Sequence, residues 1–324
     1  MSIFSFLFEV KIKHFFNSSQ YQSVFLLITG GFLLAFQDSL VKFAADWTSF
    51  WQFQTLRSLF NLILLIILPS FFGSKFSKLI PKNIPIVAFR TLFLVLCMFF
   101  FFCAAPKLTV AEMATGLYTY PIFVVIFAFL FLKESINKLK LSALFFGIMG
   151  ALFVLKPWDI NFSIFQIFPV IAGFFYACNL FVLRKYCSNE SPLAMTFTVA
   201  IGFILSGCIG IFVTDYFILD QSLKDKFPYI LIGWPELTFF AFFIAVVASF
   251  FNLSGNLCLV KAYQTSESSF LAPLDFLYLI FAIFWGKIIF NTLPDTLGLF
   301  GIFLILISGV IVAIQASRIK QETI

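Results

Sequence analysis

Long apolar runs, separated by short polar segments, make up most of this chain of 324 residues. The run 86–105, IVAFRTLFLVLCMFFFFCAA, is representative: it is predominantly apolar and shows no strict alternation. Such a run reads as a helix rather than a strand. Ten runs of this kind lie near 22–44, 50–72, 86–105, 110–132, 139–156, 164–184, 192–213, 237–260, 268–290 and 296–316. Each approaches the roughly 20 residues that a helix needs to cross the hydrocarbon of a bilayer. Backbone in that medium must satisfy its own N–H and C=O groups, which leaves helices or a closed barrel. The expected fold is therefore all-α and integral to the membrane, with ten transmembrane helices.

The polar segments between the runs set an orientation. With the N-terminus inside, thirteen Lys and Arg residues fall in cytoplasmic segments, Lys78, Lys138 and Lys185 among them. Five fall on the other side: Lys107, Lys156, Lys224, Lys226 and Lys287. An excess of basic residues marks the cytoplasmic side, so both termini are expected there, in agreement with an even number of spans. Residues 1–21 then form a cytoplasmic N-terminal segment and 317–324 a cytoplasmic tail. In MSIFSFLFEVKIKHFF the charges follow the apolar patch instead of preceding it, unlike a secretory signal peptide. This stretch suits the membrane surface.

The two halves resemble each other. GFLLAFQDSLVK (31–42) aligns without a gap on GFFYACNLFVLR (173–184), so that Gly31 meets Gly173, Gln37 meets Asn179 and Lys42 meets Arg184. Further along, Ala104 matches Ala262 at an offset of 158, and Glu134 falls on Thr292. Five spans per half is an odd number, so the second half must be inverted relative to the first, a plan that recurs among secondary transporters. The expected organisation is a first five-helix repeat at 22–156, a linker at 157–163 and a second repeat at 164–316.

Composition removes several classes of function. A mean hydropathy of +1.04 with 11% charged residues excludes an ordinary soluble domain, which carries about 25%. The net charge of +6 follows from basic cytoplasmic loops; no basic run within polar sequence points to nucleic acid. The six cysteines are scattered without metal-ligand spacing and count as small hydrophobes. The one histidine, His14, sits in the basic N-terminal stretch. No Walker A loop, HExxH, GxSxG or CxxC is present. No metal, cofactor or enzymatic activity is expected, and the longest aqueous loop, about 214–236, is too short for a catalytic domain.

What remains is a set of polar residues inside apolar runs. Asp38 and Lys42 stand at i and i+4, on one face of the first span. Arg57 lies about 10 Å into the second span at the 1.5 Å helical rise per residue, at a depth similar to Asp38. A charge in hydrocarbon costs roughly 2.5–3.5 kcal/mol on insertion scales, and pairing or water removes most of that cost. Asp38, Lys42 and Arg57 are expected either to form a polar cluster at the outer end of a central cavity or to pin the first two spans together. Asp275, about ten residues into the ninth run, has no local partner of opposite charge. It is a candidate substrate or proton site, or else a neutral structural acid. Tyr278 lies one turn further on, on the same face. Tyr118, in TGLYTYP, is either a cavity wall or a packing residue. Asn179, Asn252 and Asn256 line a cavity or bridge helices, and Gln54 sits one turn from Arg57. Arg90 is expected to snorkel at the inner end of the third span, Glu112 to serve a helix N-terminus, and Glu134 to pair with neighbouring lysines.

These residues carry a family resemblance. FQDSLVKFAADWTSFWQFQTLRSLF, CAAPKLTVAEMATGLYTYPIFVVIFAFLFLKESI and FFGIMGALFVLKP in the first half, with KAYQTSESSFLAPLDFLYLIFAIF in the second, resemble a ten-helix member of the drug/metabolite transporter superfamily built from two EamA-type domains. The second-half pattern is similar to the subgroup containing S-adenosylmethionine transporters of intracellular bacteria. Thr292, in FNTLPD, stands where such sequences usually carry a Glu, and Lys287 where they are apolar. The resemblance implies a multi-pass protein of the bacterial inner membrane and a central cavity that opens alternately to each side. It also implies movement of a small organic solute such as S-adenosylmethionine, an amino acid or a drug, with proton coupling or plain exchange. A non-transporting membrane protein that binds lipid or a partner is the alternative of another class. It predicts structural polar residues and no aqueous cavity.

Overall fold

The computed structural model describes residues 19–71, 79–132, 138–160, 162–187, 189–217, 220–265, 271 and 274–322. The segment 1–18 and Glu134 lie outside the described residues. The helices are α1 (Ser19–Ala44), α2 (Phe50–Phe71), α3 (Ile84–Cys103), α4 (Val110–Leu117), α5 (Tyr120–Leu132), α6 (Lys138–Leu155), α7 (Phe168–Tyr186), α8 (Pro192–Tyr216), α9 (Gln221–Lys226), α10 (Pro228–Leu231), α11 (Phe239–Thr265), α12 (Leu277–Phe290) and α13 (Thr296–Glu322). Among the described residues seven helices are long and apolar enough to cross a membrane, α4 and α5 counting as one of them. Shorter apolar helices, Leu141–Leu155, Leu277–Phe290 and Thr296–Ile311, occupy the three remaining places at which the sequence predicts a span.

The fourth run is not one continuous helix. α4 begins with a capping box, in which Glu112 accepts from the Thr109 N–H at 2.8 Å and its own N–H reaches the Thr109 hydroxyl at 3.2 Å. It ends at Leu117 because Pro121 has no N–H to give the Leu117 carbonyl. The Thr119 hydroxyl donates to the Gly116 carbonyl at 2.7 Å and satisfies an acceptor that the break frees. A second break falls at Phe276, a turn residue between helical Asp275 and α12. Tyr118 and Phe276 are 158 positions apart, the offset that aligns the later parts of the two halves. The breaks meet at the centre of the molecule: the two rings are 5.2 Å apart, and the Tyr118 hydroxyl donates to the Asp275 carbonyl at 3.0 Å.

Helix packing is symmetric under exchange of the halves. α1 packs on α11 as α7 packs on α3; α1 on α12 as α7 on α4 and α5; α2 on α11 as α8 on α3. The pairs α2–α8, α4–α12 and α6–α13 are their own counterparts. With lipid as the alternative solvent, helices associate through close packing, not water exclusion, and small residues make that possible. Where α6 crosses α13, a Cβ on Gly150 would lie 2.6 Å from the Gly301 carbonyl oxygen, and one on Gly301 equally close to Gly150. The Ser308 hydroxyl seals this crossing with a 2.6 Å bond to the Ala143 carbonyl. Large apolar side chains such as Phe25, Phe145, Leu205, Ile209 and Phe303 face outward, as lipid contact requires.

Candidate functional site: a central polar cavity

A cavity of about 380 Å³ lies between the halves. Its wall is drawn from α1 (Gln37, Asp38), α2 (Arg57, Asn61), α3 (Arg90), α7 (Tyr176, Asn179), α8 (Thr196), α11 (Asn252, Asn256) and both helix breaks (Tyr118, Tyr120, Asp275, Tyr278). Gln37, Arg57 and Asn179 are fully buried, whereas Arg90, Pro192 and Val260, near the helix ends of one side, are partly exposed. The cavity therefore deepens from that side toward Asp38 and Tyr278.

The helix breaks supply an aromatic floor. Tyr118 and Tyr278 stack with ring centroids 5.4 Å apart, and Tyr120 meets Tyr176 edge-on at 5.0 Å. The Tyr278 hydroxyl donates to the Asp38 carboxylate, joining α12 to α1. Arg57 is held from its own helix by the Gln54 side-chain oxygen, 2.8 Å from Nη2, and lies 5.7 Å from the Phe102 ring. Its Nε is buried without a protein partner. The Asp275 carboxylate lines the cavity, and among the described residues no side-chain bond to it is seen. One wall is a chain of amides: Asn252 donates to Gln37 at 2.8 Å, Asn61 donates to Asn252 at 3.1 Å, and the Ser249 hydroxyl donates to Asn61 at 2.8 Å. Linked polar groups of this kind hold one another's orientation.

The structure brings eight of the nine sequence-predicted residues to this region and separates one. Asp38, Arg57, Tyr118, Asn179, Asn252, Asp275 and Tyr278 line the cavity, and Gln54 stands behind Arg57. Lys42 does not line it. One turn along α1 it passes the Ala105 carbonyl, which lies beyond the end of α3, and its ammonium donates there at 2.6 Å, 5.2 Å from the Phe290 ring. The expected cluster of Asp38, Lys42 and Arg57 thus divides. Asp38 and Arg57 remain electrostatic neighbours without direct contact, while Lys42 faces Asp46 and Glu112. Sequence reasoning passed over Arg90 as a snorkelling residue, yet its side chain lines the cavity with Nε buried and unpaired. Asn61 carried a readable signal, since it stands one turn from Arg57 on the same helix face.

Comparison with known proteins agrees with this architecture. Residues 22–156 match the EamA-like transporter family. The chain is 24% identical to an uncharacterized transporter of Helicobacter pylori (strain ATCC 700392 / 26695), over 90% of this chain and 95% of the relative. It is 23% identical to the pseudopaline exporter of Pseudomonas aeruginosa (strain UCBPP-PA14), over 92% and 96%. A shorter match, 24% identical over 61% of this chain and 62% of the relative, is to the S-adenosylmethionine uptake transporter of Rickettsia conorii. A solved crystal structure shares the fold with a TM-score of 0.59 at 15% identity, over 91% of this chain and 99% of its own. Segment 22–156, somewhat under half of the chain, is thus similar to the EamA-like transporter family.

Proposed function

We propose that the chain is a secondary transporter of the bacterial inner membrane that moves a small organic solute by alternating access. In this reading it has ten spans in two inverted EamA-type repeats, at 22–156 and 164–316, and both termini in the cytoplasm. The observation that carries it is the central cavity at the meeting of two interrupted helices, with two arginines and two aspartates on its wall. Interrupted helices at the repeat interface are where secondary transporters hold their solutes. With the N-terminus inside, the partly exposed side at Arg90 and Pro192 is cytoplasmic, so the cavity faces inward.

The wall favours a solute with separated positive and negative groups. A carboxylate suits Arg57, whose unpaired Nε leaves donors free for a fork-like contact. A cationic group suits Asp275 and the faces of Tyr118 and Tyr278. S-adenosylmethionine, or a related solute with amino-acid or nucleoside character, combines these features and is the preferred substrate. Counterflow of labelled S-adenosylmethionine in proteoliposomes tests it: saturable exchange is expected, and exchange competed only by other amino acids would redirect the substrate. Similarity to a named exporter over nearly the full length supports export of an amino acid or drug as the second reading. Net flux from loaded vesicles distinguishes the two.

A further inference from the structure

A second cavity, of about 480 Å³, lies at the opposite end of the bundle from Arg90 and Pro192. Its floor is Thr48, Ser49, Cys103 and Tyr229, all buried, and its rim carries the exposed Asp46, Lys107 and Asp225. Trp47 and Phe227 add aromatic walls. The segment that closes it, 227–235, is firmly built. Its Ile230, Gly233 and Pro235 carbonyls accept from Trp51, Ser49 and Gln52, each at 2.7 Å. Tyr229 projects from this segment with only 5% of its surface exposed, and its hydroxyl is buried without a partner. Arg57, on the wall of the central cavity, is an electrostatic neighbour of Tyr229. The Tyr229 ring also meets that of Phe50, which shares α2 with Arg57, at 6.3 Å.

We propose that this outer cavity is a second solute site, which holds a small zwitterion between Lys107 and the Asp46 and Asp225 carboxylates with Tyr229 bonding its polar body. Its size lies within the roughly 300–1,000 Å³ of ordinary small-molecule sites. A solute leaving or approaching the central cavity pauses here, and displacement of Tyr229 from beside Arg57 joins the two compartments. This inference rests on the transport function proposed above.

The test is a reporter cysteine, Ile232→Cys, on the wall of the outer cavity and away from its charged groups. Detergent-solubilised protein is treated with a charged thiol reagent, with the parent chain as baseline, in the presence of S-adenosylmethionine and, separately, each common amino acid. At least one of these solutes is expected to slow labelling fivefold or more. Lys107→Gln with Asp225→Asn should raise the concentration needed at least tenfold, while Asp275→Asn, in the central cavity, should leave it within twofold. Absence of protection by every solute overturns the site, as does protection that Asp275→Asn abolishes. Exchange measured with the same solutes in proteoliposomes reports separately on transport, so failure of the outer site and failure of the transport function are distinguishable.

Discussion

Tyr278 and Asp38, 240 residues apart, share a hydrogen bond that ties the second half of the chain to the first. The hydroxyl comes from the helix that restarts after the Phe276 break, and the carboxylate from the middle of α1. Tyr278→Phe keeps the stack on Tyr118 but leaves the carboxylate without its donor. That should cost about 1–3 kcal/mol and lower the midpoint of thermal unfolding in detergent, with a smaller loss for Asp38→Asn, which retains an acceptor. Equal midpoints for Tyr278→Phe and the parent would remove this bond from the account.

Arg57 offers a planar fork that Gln54 orients from one turn away. Lys in its place keeps the charge and loses the fork. Arg57→Lys is expected to raise KM for exchange at least tenfold, about 1.4 kcal/mol, with a smaller change in kcat. A KM within twofold of the parent would place the solute carboxylate elsewhere.

Pro121 creates the break that turns Tyr118 toward Asp275. Pro121→Ala supplies the missing N–H to the Leu117 carbonyl and favours a continuous helix, since proline inside a helix costs about 3 kcal/mol. The variant should fold with an unchanged or higher thermal midpoint and exchange solute more slowly. Exchange at the parent rate would show that the break is not needed for transport.

How much of this was legible in the sequence follows from which forces act locally. Apolar runs and their ends are local, so the positions of the spans could be read; Asp38, Arg57 and Asp275 could be picked out because charges in hydrocarbon are costly, and Tyr278 because it lies one turn from Asp275. The break inside the run 110–132 was not read, because Pro121 in TGLYTYP was its one local signal; the matching break at Phe276 appears only in the structure. Lys42 was misjudged because its partner, the Ala105 carbonyl, is 63 residues away in a turn whose path no local pattern gives. Arg90 sits near a helix end, where snorkelling and cavity lining leave the same sequence signal.

At one end of the α6–α13 pair, the Lys156 ammonium lies 2.5 Å from the Asp295 carboxylate and holds its carboxyl below the ordinary value. A depressed pKa contributes stability that is present above the unfolded value, about 3.9, and is lost as pH falls through the lower folded value. Asp295 is exposed and Lys156 partly so, and the pair is worth at most about 1 kcal/mol. Asp295→Asn should lower the thermal midpoint slightly at pH 7, and the difference from the parent should shrink below pH 4. A difference that grows on acidification would contradict the assignment.

The central claim, that the space around Asp275 is an aqueous solute site, is tested most directly by a cysteine at that position. Asp275→Cys protein is labelled with a polar thiol reagent, with and without S-adenosylmethionine or an amino acid that the parent exchanges. The account predicts labelling, slowed by the transported solute. Complete protection in folded protein, with or without solute, would mean that Asp275 is a structural acid and that the cavity does not carry solute.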